Sequence, residues 1–154
     1  MKRSGLLDPY ARPPPHWRRT RSSLLASSPR CPRALIDATG VGPVSAAQAL
    51  VSWSHHGRCR NDAAFAALAG ACPIPASSGR VVRHRLNRGG DRQLNRALHD
   101  ILLTRWRICP RTHAYIARRR AQGKTDPEIR RCLKRHIARE LFRTMQAASA
   151  LDAT

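Results

Sequence analysis

The residue types that phosphodiester chemistry requires are gathered in one stretch, Pro73-Ile74-Pro75-Ala76-Ser77-Ser78-Gly79-Arg80-Val81-Val82-Arg83-His84-Arg85-Leu86-Asn87-Arg88-Gly89-Gly90-Asp91. It is the longest part of the globular region without a helical period. A short hydroxyl beside Gly79 can stand clear of the backbone, because glycine accepts φ > 0 and has no side chain to block approach. The arginines around it present planar, permanently charged forks that match phosphate oxygens bidentately. A hydroxyl inside a set of phosphate binders is a candidate nucleophile. The plainer account of the same residues is a surface turn followed by a basic hairpin.

The flanking elements must position that stretch. Arg33 to Trp53 reads as helix, hairpin, helix. Leu35-Ile36 ends the first helix, Gly40-Val41-Gly42 is the tight turn, and Pro43 suits a helix N1 position. Val44, Ala47, Leu50 and Val51 are expected to form the inward stripe of the second helix. A glycine-hydrophobe-glycine turn leaves backbone amides free at a helix start, where an anion is favoured. Gly40 and Gly42 are therefore candidate contacts for a DNA backbone; a plain helical turn is the alternative.

Asn61-Asp62 caps an Ala-rich helix from Ala63 to Ala69, closed by Gly70. Val81-Val82 and His84 to Leu86 are candidate hairpin strands after the serine turn. Asp91 caps a helix to about Arg107, with Leu94, Ala97, Leu98, Ile101, Leu102 and Trp106 inward and His99 on the solvated side. Pro110 opens a helix over Arg111 to Gln122, stopped by Gly123, with Tyr115-Ile116 inward and Arg118-Arg119-Arg120 outward. Thr125-Asp126-Pro127-Glu128 reads as a capping box. The last helix places Ile129, Leu133 (or Cys132), Ile137, Leu141 (or Phe142) and Met145 on its packing face. The expected fold class is mostly α: a small helical bundle with a helix-hairpin-helix-like entry and a short β-hairpin or loop carrying the serine turn.

Charge narrows the partner. The chain of 154 residues holds 29 Lys+Arg against 9 Asp+Glu, a formal net charge of +20. All but Lys2, Lys124 and Lys134 of the basic residues are arginine. So strong an excess suits a polyanion, and DNA is the first candidate. G+C-rich coding also enriches arginine without any bearing on function. Residues 1–32 are rich in Pro, Arg and Ser and lack a hydrophobic period, so they read as a disordered basic tail. Residues 33–148 form the expected domain and 149–154 a second tail.

Five scattered cysteines and no secretory segment suggest reduced thiols in the cytoplasm. His55, His56 and Cys59, and Cys109 with His113, lack a second pair at zinc spacing. Asp62, Asp91, Asp126 and Glu128 are assigned to caps, and Asp37, Asp100 and Glu140 are spread along the chain. Nothing here clusters carboxylates as a self-sufficient two-metal nuclease requires. No apolar run is long enough to cross a membrane.

The order of Gly40-Val41-Gly42-Pro43-Val44-Ser45-Ala46-Ala47, Ala63-Ala64-Phe65-Ala66-Ala67-Leu68-Ala69-Gly70 and Arg88-Gly89-Gly90-Asp91-Arg92-Gln93-Leu94-Asn95-Arg96-Ala97-Leu98 closely resembles the C-terminal transposase domain of the insertion-sequence one-ten family. The resemblance covers roughly Thr39 to Met145. These are serine-dependent DNA recombinases related to the Piv invertases, some guided by a bridge RNA. It implies that Ser78, in a Ser-Gly turn after the Ala-rich helix, attacks DNA; Ser77 is the neighbouring alternative. Arg80, Arg83, Arg85 and Arg88 are phosphate-contact candidates from proximity alone.

The family's RuvC-like domain, with four acidic residues that hold divalent metal, has no counterpart here. The chain therefore reads as a truncated transposase, with no cofactor of its own. The partners implied are DNA, a guide RNA and a second copy of the chain, with no membrane and a nucleoid-associated location in the cytoplasm. The rival accounts are a non-catalytic nucleic-acid-binding protein and a basic protein embedded in ribosomal RNA.

Overall fold

A computed structural model describes residues 33–72, 74, 75, 84, 85, 87 and 89–151. Among the described residues, six helices and one two-stranded ladder make a mostly helical bundle: α1 (Arg33–Asp37), α2 (Pro43–Trp53), α3 (Asp62–Leu68), β1 (Ile74–Pro75), β2 (His84–Arg85), α4 (Arg92–Ile108), α5 (Pro110–Ala121) and α6 (Asp126–Leu151).

Local chemistry sets most of the boundaries. Pro43 and Pro110 open α2 and α5 at the first helical turn, where a missing N–H is not needed. The Asn61 side chain accepts from the Ala64 amide at 2.8 Å and starts α3. Asp91 Oδ1 accepts from the amides of Gln93 and Leu94 at 2.9 and 3.0 Å and starts α4. Glu128 reaches back to the Thr125 amide at 2.9 Å, and the Thr125 hydroxyl donates to the same carboxylate at 2.8 Å, so α6 begins at the expected box. Gly123, at φ +75°, turns the chain between α5 and α6.

The 26-residue α6 is the spine: it touches each of the other five helices. Leu35, Phe65, Leu94, Leu98, Ile101, Leu102, Ile129, Leu141 and Met145 are fully buried around it. Each such side chain contributes about 1.5–3 kcal/mol by leaving water. Phe65 and Phe142 meet at 5.8 Å between ring centroids, joining α3 to α6.

Three sequence expectations are corrected. The inward stripe of α2 is Ala46, Ala49 and Trp53 with Ser52, whereas Val44 and Val51 are 64% and 70% exposed. The small alanines let α2 lie close on its neighbours, so the buried arc is rotated away from the larger valines. His99 is half-buried rather than solvated, and its Nδ1 is shut off from water without a partner among the described residues. The strand His84–Arg85 pairs antiparallel with Ile74–Pro75, across the serine turn instead of after it. Val81 and Val82 lie outside the described residues.

Candidate functional site

The α1–α2 turn is built by a charge clasp. Arg105 of α4 donates from Nε to the Thr39 carbonyl at 2.6 Å, and its two terminal nitrogens donate to Glu140 of α6 at 2.7 and 2.9 Å. The Arg105 side chain is 11% exposed, so this fork is a structural tie between three elements. Its hydrogen bonds hold the Glu140 carboxyl below the usual carboxylate range, against the opposing pull of burial.

Gly40 sits under the clasp at φ +80°; a Cβ there would meet Arg105 Cγ at 3.0 Å and the Ile101 carbonyl at 3.2 Å. Gly42 differs. It is the N-cap of α2, at φ −87° and ψ 163°, and supplies no side-chain cap. A Cβ built on Gly42 meets nothing within 4 Å. With Pro43 lacking an N–H, the α2 start presents the Val44 and Ser45 amides beside an open face.

The serine-bearing stretch leaves α3 and returns to α4 through a tight stem. Gly70, at φ +65°, and Gly90 cross so closely that a Cβ on Gly90 would lie 2.4 Å from the Gly70 nitrogen and 2.8 Å from the Leu68 carbonyl oxygen. The Asp91 amide donates to that same carbonyl at 2.7 Å. Asn95 of α4 donates to the Ala69 carbonyl at 2.7 Å and accepts from Lys134 of α6 at 2.8 Å. The Asn87 side chain accepts from the Gly89 amide at 3.0 Å, and the ladder pairs Ile74 with Arg85 and Pro75 with His84.

Asp91 is the junction of this stem. Ser52 of α2 donates its hydroxyl to Asp91 Oδ2 at 2.6 Å, and Gln48 donates to Ser52 at 3.2 Å. That hydroxyl, first, then the Leu94 and Gln93 amides and the charge of Arg58 hold the carboxyl below its ordinary value, although burial opposes them.

Of the sequence-predicted site residues, Gly40 and Gly42 share one turn but not one role: Gly40 is packed inward and Gly42 faces out. Ser77, Ser78, Gly79, Arg80, Arg83 and Arg88 lie outside the described residues, as does the side chain of Arg85. What the structure places is the chain on either side of them, at Ile74–Pro75 and His84–Arg85 and at Gly70 and Gly90.

Two further acids are paired with arginines. At Asp62 burial would raise the carboxyl, but Arg143 and Arg139 reverse this and lower it; their contacts are 2.7 and 3.2 Å. Asp126 is paired with Arg120 at 2.8 Å. Among the described residues no group of three His, Cys, Asp or Glu side chains could hold a metal ion. His113 of the Cys109–His113 pair donates Nε2 to the Trp106 carbonyl at 2.7 Å.

Sequence reasoning missed Ser52, Asn95, Arg105, Lys134 and Glu140 as organising residues. Each joins elements distant in the chain, and no local spacing announces such a contact. No described helix is long and apolar enough to cross a membrane. No curated protein matches the chain. A family model does: it matches residues 33–117, from α1 through the first part of α5, more than half of the chain. The chain belongs to the transposase IS116/IS110/IS902 family.

Proposed function

We propose that the chain serves DNA transposition by serine-mediated strand cleavage, with Ser78 as nucleophile. The observation that supports this reading is the stem: Gly70 crosses Gly90, and Asp91 and Asn95 tie both ends of the Ser78 loop to the bundle. A nucleophile must be held near its productive position, and a loop with fixed ends loses less entropy on engaging DNA than a free one.

Ser78 Oγ would attack a backbone phosphorus. One P–O ester bond forms to serine as the strand's own P–O bond breaks, so the exchange conserves bond energy for rejoining. Arg80, Arg83, Arg85 and Arg88 are the proposed counter-charges for the phosphate oxygens. Metal chemistry would belong to a RuvC-like acidic domain acting together with the chain, with a guide RNA and a second copy as further partners.

The chain is incubated with a RuvC-like domain supplied in trans, divalent metal and target DNA. A denaturant-resistant protein–DNA adduct should form and should vanish in Ser78→Ala. An adduct undiminished by that change would contradict the nucleophile assignment.

A second reading, sequence-independent DNA binding without catalysis, draws on the open N-cap at Gly42. It calls for binding dominated by phosphates. If about six are neutralised, the plot of log affinity against log salt should have a slope near about −5. Affinity that is flat from low to moderate salt would sink it.

A further inference from the structure

The α5–α6 face carries cations that neither the turn nor the serine loop uses. At its centre is Tyr115, half-buried. The guanidinium carbons of Arg118 and Arg119 lie 5.5 and 5.2 Å from the Tyr115 ring centroid, and Arg119 Nε donates to the Tyr115 hydroxyl at 3.1 Å. His136 of α6 meets the same ring edge-on, with centroids 5.6 Å apart. Arg135 and Arg139 flank His136 on its own helix. Asp62 is the one acid bonded to this set among the described residues; it contacts Arg139 and is shared with Arg143.

Cation–π contacts fix guanidinium groups without neutralising them. The result is a preorganised positive surface around an aromatic ring, with its charges in excess. Crowded like charges cost free energy that an arriving anion relieves. All of the set except Tyr115 lies beyond the residues that the family model matches.

We propose that Arg118, Arg119, Arg135, His136 and Arg139 around Tyr115 form a second binding site for the phosphate backbone of DNA, separate from the α2 entry and the Ser78 loop. The inference rests on the DNA-binding reading above and adds a place and a proton to it. Desolvation of the ring where it meets Tyr115, then Arg135, Arg119 and Arg139, hold the His136 imidazole below its ordinary value. The groups that face it are Tyr115 and Arg119 from α5 and Arg135 and Arg139 from α6, with Asp62 of α3 reaching it only through Arg139. A phosphate placed among these cations would offset their charge and favour the imidazolium. DNA binding should then take up a proton at His136 and strengthen as pH falls.

The test follows the His136 ring signal by NMR in the full chain, titrated with pH, with and without a short DNA duplex. The expected result is a higher apparent pKa in the complex. Arg118→Gln with Arg119→Gln should make the salt slope shallower by about 2, and Arg118→Gln alone, on an exposed residue, by about 1. The single variant keeps the test valid if the double variant unfolds.

Duplex binding with a silent His136 and unchanged slopes would overturn this site while leaving DNA binding intact. Absence of any duplex binding would overturn both readings. An equal His136 response to inorganic phosphate, or to an acidic peptide at the same charge concentration, would overturn the assignment to a nucleic-acid backbone.

Discussion

Two glycine-framed regions flank the starts of long helices, and they are closed by different physics. The α1–α2 turn is held by charge: Arg105 links the Thr39 carbonyl to Glu140 over Gly40. The stem of the serine stretch is held first by backbone contact: Gly70 and Gly90 touch where no Cβ could fit on Gly90, and the Asp91 amide and the Asn95 side chain bond the carbonyls beside the crossing. At the turn one glycine is internal and the other, Gly42, opens outward. At the stem both are internal. A glycine with close neighbours inside the fold is scaffold; one with none is free to let a partner approach. Gly42 meets the second description and Gly40, Gly70 and Gly90 the first.

The comparison is broken most severely at Gly90. Gly90→Ala should cost on the order of 4 kcal/mol, because the added methyl meets backbone that no rotamer change can move. Denaturant unfolding should show a strongly lowered midpoint, and an ordinary midpoint would refute the crossing.

Arg105→Ala should cost about 2 kcal/mol, less than a fully buried pair because Glu140 is half exposed. Unfolding melts of Arg105→Ala, Glu140→Gln and the double variant should show strong coupling; additive losses would dissolve the clasp.

Gly42→Val sharpens the contrast. It should cost less than about 1 kcal/mol in stability, since the space is open and φ is negative. It should weaken duplex binding about fivefold, the loss of roughly one amide–phosphate hydrogen bond. The same affinity loss from arginine changes within residues 1–32 would make Gly42 ordinary scaffold.

The smallest effect is that of pH. Asp91 and Glu140 are held below their ordinary values of 3.8 and 4.5. Their contribution is present above those values and is lost as pH falls through the lower folded ones. Stem and clasp should therefore both survive mild acid. His99 and His136 are held below 6.5, so the unfolded chain binds protons first, and stability should start to decline as pH drops past that value. At His99 the causes are burial and then Lys134, with Arg130 adding to them and Asp100 opposing. Thermal melts should be flat above about pH 7 and fall below it, and His99→Asn with His136→Asn should remove the first part of the fall.

Helix starts and stops were legible because their causes are local. Pro43, Asn61, Asp91, Pro110, Gly123 and the Thr125–Glu128 box each act within a few residues. The packing face of α6 was legible because Ile129, Leu133, Ile137, Leu141 and Met145 keep a helical period. The face of α2 was not, because periodicity weights Val44 and Val51 above Ala46 and Ala49, while close packing prefers the smaller pair. The stem that frames the serine stretch was not legible, since the Gly70–Gly90 crossing and the Ala69–Asn95–Lys134 chain are tertiary facts.

The most direct test of the central claim locates the covalent bond. The protein–DNA adduct formed with the acidic domain, metal and target DNA is digested with protease and nuclease, and the modified peptide is sequenced by mass spectrometry. The account predicts a nucleotide on Ser78, none on Ser77, and no adduct in Ser78→Ala although that variant folds and binds duplex normally. A nucleotide on Ser77 or any other residue, with Ser78→Ala fully competent, would contradict it.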